Sequence, residues 1–198
     1  MEKKKILPAV IAVVLMALII VGAVGVKLYE KYSYSKETMD LSRYYGIEKE
    51  GQVPIILADV VAEEKAANID GNDYLPLSFV QEQLNSRFYY DMNEKLLLYT
   101  TALDLYEIPL DSTTYTVSGE AAEHTCPIFV LQDEVPYVSL SFMENFSNFI
   151  CNVYEAPHRL QIYTENVTHQ TAVIQKATAV RYQGGIKSDI LEQQDAGS

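Results

Sequence analysis

The sequence predicts an α+β protein: an N-terminal transmembrane helix followed by two repeated small hairpin-helix-hairpin units. Three observations carry that expectation. The run from Ile6 to Val26 holds no charge, the stretch from Tyr74 to Thr100 returns from Tyr137 to Thr164, and each copy sets a helix-start pattern between apolar runs. Tyr74, Leu77, Ser78, Phe79 and Asn85 recur 63 residues on as Tyr137, Leu140, Ser141, Phe142 and Asn148. Tyr90, Leu96, Tyr99 and Thr100 recur 64 residues on as Tyr154, Leu160, Tyr163 and Thr164, which places one inserted residue between Asn148 and Tyr154. These nine identities exceed the roughly two that average composition gives over such a length, so one small folding unit reads as duplicated.

Residues 1–5 read as cytoplasmic and 6–26 as the membrane anchor. The 21 residues from Ile6 to Val26, wound as a helix rising about 1.5 Å per residue, span the roughly 30 Å hydrocarbon layer. Lys3, Lys4 and Lys5 precede the run, and the positive-inside tendency keeps that end in the cytoplasm and sends the body outside. Pro8 falls in the first turn, where its missing N–H costs little. Tyr29, Tyr32 and Tyr34 follow, at the level where amphipathic rings favour the outer interface. A cleaved signal peptide is the competing reading, but its apolar core runs to about 7 to 15 residues before a small-x-small site, and Val21-Gly22-Ala23 is a poor site of that kind. The chain is therefore expected in the cytoplasmic membrane as a single-pass protein whose partner, through residues 6–26, is the lipid bilayer.

Formal net charge is −12, and everything after Val26 holds 12 basic against 26 acidic residues. A surface so acidic repels nucleic acid and anionic lipid headgroups, and nucleic acid is excluded as a partner.

Residues 27–52 read as a charged, Tyr-rich juxtamembrane spacer, 53–110 as the first unit, 111–165 as the second, and 166–198 as a separate tail. Val53 to Leu57 holds Pro54, which suits an edge strand or the first residues of one, because proline lacks a ladder donor. Ala66 to Ile69 and Asp73 to Leu77 flank Asp70-Gly71, the dipeptide that meets the positive φ demands of a tight hairpin. Ser78 with Gln81, and Ser141 with Glu144, have the form of a capping box, in which each side chain satisfies a backbone N–H left orphaned at the helix start. Two strand-like runs follow each helix, Arg87 to Tyr90 then Leu96 to Thr100, and Ile150 to Tyr154 then Leu160 to Thr164. Period-two alternation puts Leu96 and Leu98, matched by Leu160 and Ile162, on one face. Leu97 and Tyr99, matched by Gln161 and Tyr163, fall on the other, and Gln161 marks that face as the wetter one. Ile128 to Leu131 and Val135 to Val138 repeat the opening hairpin of the first unit.

Ile69-Asp70-Gly71, leading through Tyr74-Leu75-Pro76-Leu77 and a short helix to Arg87-Phe88-Tyr89-Tyr90-Asp91 and Leu96-Leu97-Leu98-Tyr99, resembles the copper amine oxidase N-terminal-like domain. Bacterial envelope proteins of that kind use the unit as a stalk, often in tandem. The family pattern has a Trp before the acid of the last hairpin, where this chain has Tyr90-Asp91 and Tyr154-Glu155. Ala179-Val180-Arg181 with Ile186-Lys187-Ser188-Asp189-Ile190-Leu191 looks like the opening of a bacterial SH3-like domain, here incomplete. Anchor, tandem stalk and SH3-like start in that order resemble the N-terminal half of membrane-anchored family 18 glycoside hydrolases. A downstream catalytic domain is the partner this resemblance implies.

The family name invites copper, yet His124, His158 and His169 are the only histidines and no two are closely spaced. Imidazole ligands for such a metal would be expected nearer together, so no metal and no cofactor is expected. The acidic Asp-x-x-Asp-x-Asp-x-Glu run of a family 18 glycosidase is absent, so this stretch is expected to be non-catalytic. Cys126 and Cys151 are a possible disulfide, since an extracytoplasmic body lets such a bond persist; two unpaired buried thiols are the other reading. Tyr99 and Tyr163 form a possible glycan-stacking face or a packing face. The function expected is a non-catalytic, membrane-anchored extracytoplasmic stalk or interaction region of a bacterial cell-envelope protein. Its alternatives are a truncated, chitinase-like envelope glycoside hydrolase lacking its catalytic domain, or a module that binds peptidoglycan or other cell-wall polysaccharide.

Overall fold

The computed structural model describes residues 3–164 and 173–197. They fall into two compact units, one within Met1–Asp40 and Thr171–Ser198, the other within Leu41–Gln170. The chain has both helices and strands, is strand-rich, and has one N-terminal apolar helix.

In the first unit, α1 (Lys3–Tyr32) is long and apolar enough to cross a membrane within Val10–Tyr32, where an 18-residue stretch has mean hydropathy 2.7 and is nowhere buried. It outruns the expected end at Val26 because Lys27-Leu28-Tyr29-Glu30-Lys31 contains good helix formers and no breaker. The first residues of the expected spacer are therefore helical. The helix stops where Ser33 N–H donates to Tyr29 O at 2.7 Å. Two C-terminal strands share this unit, and their labels follow below in chain order. Of the tail expected over 166–198, residues 166–172, with His169, and residue 198 lie outside the described residues.

The second unit opens on α2 (Leu41–Tyr44) and β1 (Gln52–Leu57), β2 (Val60–Ile69) and β3 (Asn72–Pro76). β2 and β3 pair from Ile69↔Asn72 and turn through Asp70 and Gly71, at φ 50° and 80°. Glycine adopts that second angle without a Cβ clash. Next come α3 (Leu77–Phe79), widening to a π turn over Val80–Leu84, then β4 (Phe88–Asp91), β5 (Leu96–Thr100), β6 (Leu105–Pro109), β7 (Thr114–Val117) and β8 (Glu120–Glu123). These last five strands form an antiparallel meander in chain order. β9 (Phe129–Gln132) and β10 (Val135–Ser139) make another two-residue hairpin, with Asp133 and Glu134 at φ 51° and 64°. α4 (Leu140–Met143), β11 (Ile150–Tyr154) and β12 (Arg159–Tyr163) complete the unit. β13 (Thr178–Arg181) and β14 (Ile190–Gln194) are the antiparallel pair of the first unit, where Thr38 also bridges to Ile190.

Strands from 53–110 and 111–165 are interleaved in one seven-stranded sheet, ordered β11-β12-β1-β2-β3-β10-β9. The two stretches expected as separate units therefore share a sheet, and one contact-defined unit covers both. Two seams do this. β3 and β10 pair antiparallel through Tyr74↔Ser139, Leu75↔Val138 and Pro76↔Tyr137, while β1 and β12 pair parallel through Ile55↔Leu160, Ile56↔Gln161 and Leu57↔Ile162. β1 is thus an inner strand, and Pro54 falls among its first residues, the second of the two placements expected for it. The proline fits because pairing to β12 begins at Ile55 and the β2 register shifts between Pro54 and Ile56, so no ladder bond needs its missing N–H.

A single core follows from that arrangement. Val53, Ile55, Leu75, Leu77, Phe79, Val80, Phe88 and Leu97 pack in one cluster with Phe129, Val138, Leu140, Phe142, Met143, Leu160 and Ile162. Because the seam residues are common to everything around them, the second unit should unfold in one transition when its tyrosine signal is followed in urea. Leu75→Ala, which opens a cavity at a fully buried position, should lower its stability by about 2–5 kcal/mol. Two separate transitions, or a loss under half a kcal/mol, would contradict a common core.

Candidate functional site

Tyr99 and Tyr163, expected on a partly wet face, are 4% and 9% exposed. Tyr99 stacks on Phe88 with centroids 4.4 Å apart and meets Phe146 edge-on at 5.2 Å, closing an aromatic cluster that continues through Tyr106, Tyr115 and Phe142. Neither ring is free to stack on a sugar. β5 buries Leu97 and Tyr99, whereas β12 buries Leu160 and Ile162. Residues matched at the 64-residue spacing, Leu96 with Leu160 and Leu98 with Ile162, therefore face opposite ways, as a one-residue slip along a strand requires.

The capping boxes do not form. α3 and α4 begin two residues early, at Leu77 and Leu140, with Pro76 and Ser139 as caps that make no side-chain cap bond. The strands β3 and β10 run straight into the helices, and burying Leu77 with Phe79 and Leu140 with Phe142 leaves no turn in which Ser78 or Ser141 could cap. Ser78 Oγ donates instead to Glu64, Gln81 Nε2 donates to the Phe88 carbonyl at 2.7 Å, and Glu144 stands exposed. Cys126 and Cys151 are free thiols, Cys126 in the loop before β9 and Cys151 on β11. Burial, then the charges of Glu144 and Asp73, push the Cys151 thiol up to about 12, so it stays protonated and unreactive at neutral pH.

Cys126 belongs to a small polar group. His124 Nδ1 lies 3.1 Å from the Cys126 carbonyl oxygen and 3.4 Å from the Cys126 backbone nitrogen, and its Nε2 lies 3.5 Å from Ser141 Oγ. Ser139, fully buried, shares a 2.9 Å hydrogen bond with Ser141 and lies 3.5 Å from the thiol sulfur. The Ser141 contact is at the long limit of a hydrogen bond. No acid stands behind the imidazole among the described contacts, and the group reads as a hydrogen-bonded plug over β10.

His158 makes the stronger arrangement. It sits in the β11–β12 turn, and the parallel β1–β12 register carries that turn to the start of β3. His158 Nε2 lies 2.9 and 3.0 Å from the two carboxylate oxygens of Asp73, and Nδ1 lies 3.2 Å from Glu155 Oε1. Asn68 Nδ2 donates to Asp73 Oδ1 at 2.8 Å. Both ring nitrogens face oxygens that only accept, so both contacts are satisfied together only by the imidazolium. Burial works to lower the His158 pKa, but the hydrogen bonds and charges of Asp73 and Glu155 outweigh it and hold it above its ordinary value. An open cavity of about 590 Å³ adjoins, lined by Glu50, Gly51, Gln52, Val53, Asn68, Gly71, Glu155 and His158. Among the described residues no group of three or more His, Cys, Asp or Glu is placed to hold a metal ion. The arrangement can hold charge and join two turns; it brings no nucleophile to the imidazole. Sequence reasoning set His158 aside as a lone histidine, and the only signal for it was a turn holding both Glu155 and His158.

Comparison with models of known protein families, with curated proteins and with solved structures finds no match to this chain.

A histidine whose pKa rises on folding stabilises the fold below its unfolded pKa, about 6.5, and that contribution is lost as pH rises through the folded value. The melting temperature of the parent should therefore exceed that of His158→Gln at pH 5.5, with the gap closing by pH 8.5. A gap that is constant across that range would remove the ion pair from the account.

Proposed function

We propose that this chain is a non-catalytic stalk or interaction region of a bacterial cell-envelope protein, anchored once in the cytoplasmic membrane with its N-terminus inside. The observation that carries the reading is α1, whose Val, Leu and Ile side chains stand exposed over Val10–Tyr32 and are covered only by a non-aqueous medium. Lys3, Lys4 and Lys5 before it set the orientation.

The stalk part of the proposal rests on duplication. A spacing of 63 residues relates the turn closed by Ile69↔Asn72 to that closed by Gln132↔Val135, the helix start at Leu77 to that at Leu140, and the turn closed by Asp91↔Leu96 to that closed by Tyr154↔Arg159. At the β3–β10 seam Leu75 faces Val138, 63 positions on, while Tyr74 and Pro76 each face the other's counterpart, Ser139 and Tyr137. A segment pairing antiparallel with its own copy has this self-complementary register. On this reading the spacing never changes, and the inserted residue before Tyr154 is unnecessary. On this reading each copy is one hairpin-helix-hairpin unit, and the matched turns and helix starts support the resemblance to the copper amine oxidase N-terminal-like stalk. A truncated envelope glycoside hydrolase rests on the resemblance alone, and the glycan-binding reading is weakened because Tyr99 joins the core cluster and Tyr163 is only 9% exposed.

Cell fractionation tests the proposal. The full chain should sediment with membranes, deletion of residues 1–26 should release a soluble body, and protease added to intact spheroplasts should degrade that body in the full-length protein. A deletion product that stays with the membrane, or a body protected from external protease, would overturn it.

A further inference from the structure

The membrane-proximal unit contains an arrangement that a plain tether does not need. The last turn of a helix leaves backbone carbonyls without helical partners. Here the Glu30 carbonyl accepts from Ser33 Oγ at 3.4 Å and also from Lys187 Nζ, a cation at the negative end of the helix dipole. Beside it, Ser35 N–H donates to Ile186 O at 2.7 Å, Ile190 N–H donates to Glu37 O at 2.8 Å, and Met39 N–H donates to Ile190 O at 2.8 Å. Arg181 donates to the carbonyls of Ser188 and of Ser35, the latter at 3.0 Å, and its guanidinium lies 5.4 Å from the centre of the Tyr34 ring. The β13–β14 hairpin is thus laced to the chain from Glu30 to Met39, at the outer end of the membrane helix.

The 21 uncharged residues of Ile6–Val26 reach about 32 Å, close to the roughly 30 Å of hydrocarbon, and Tyr29 to Tyr32 follow within about 9 Å of its outer edge. The last turn of α1, and whatever is laced to it, therefore falls at headgroup level. Tyr29, Tyr32, Tyr34, Val180 and Tyr182 are exposed there, and rings with a polar tip favour that layer. Charge points the same way. Residues 41–170 hold 6 basic and 20 acidic side chains, whereas 27–40 and 171–198 together hold 6 of each. The acidity that repels phosphate is confined to the second unit, and Lys27, Lys31 and Lys187 are left where phosphates lie. Lys187 gives one N–H to Glu30 O and has two more to offer.

We propose that the β13–β14 hairpin is a collar seated in the phospholipid headgroup layer around the exit of α1, with Lys187 and the neighbouring tyrosines meeting headgroup phosphates. This rests on the anchor reading, and the experiment separates the two. The chain has no tryptophan, so Leu18→Trp and Tyr182→Trp each give a full-length protein with one indole. Each is reconstituted in phosphatidylcholine–phosphatidylglycerol vesicles doped with lipid carrying a quencher either on the headgroup or at mid-chain. Tyr182→Trp should lose most of its emission to the headgroup quencher and little to the mid-chain one, with the reverse for Leu18→Trp. Adding Lys187→Gln to Tyr182→Trp should weaken the headgroup quenching. If Leu18→Trp is quenched at mid-chain while Tyr182→Trp ignores the headgroup quencher, the collar is wrong and the anchor stands. If neither indole responds to either lipid, both are wrong. Unchanged quenching with Lys187→Gln removes the lysine from the contact.

Discussion

Everything in the strand-built unit depends on the antiparallel seam between β3 and β10. Leu75 and Val138 meet at its centre, both fully buried, and each strand runs directly into a helix whose apolar residues fold back on the same core. Without the seam the seven-stranded sheet would part into β11-β12-β1-β2-β3 and an isolated β10-β9 hairpin, and a lone two-stranded hairpin is marginal in water. The seam also explains the polar detail near it. Tyr74 OH donates to the Pro127 carbonyl at 2.9 Å, and burial together with the nearby Cys126 pushes its phenol pKa upward. The ring at the middle of β3 thereby fixes the loop that leads into β9.

Local structure was legible in the sequence because local chemistry dictates it. Asp70-Gly71 meets the backbone angles of a two-residue turn, and the alternating runs around it become strands. The partners of those strands were not legible. Nothing in Val53-Pro54-Ile55-Ile56-Leu57 says that it will lie parallel to a strand a hundred residues later. That pairing is a long-range choice made by burying Ile55 with Leu160, and it makes β1 an inner strand of the sheet. The serines at Ser78 and Ser141 misled for a related reason: a capping pattern counts only if a turn precedes the helix, and here a buried strand does.

The candidate site shows the same division. The residues that stood out, Tyr99 and Tyr163, did so through identity at a spacing of 64. Strand faces change with every residue, so a match displaced by one position pairs an inward side chain with an outward one. Tyr99 was taken into an aromatic cluster drawn from both halves of the chain. His158 carried no repeated partner, and its meeting with Asp73 exists only because β12 lies beside β1. Charged turns of that kind become visible once sheet order is known, and composition alone gives them no address.

The β1–β12 pair has a mechanical corollary. The strand that opens the sheet-building chain and the strand that closes it lie side by side and point the same way. A pull on Gln52 toward one end and on Tyr163 toward the other would load the rungs from Ile55 to Leu57 together, in shear, where an antiparallel hairpin pulled from its open end would lose its rungs one at a time. Tension along the polypeptide would thus meet its greatest resistance where the sheet is stitched shut.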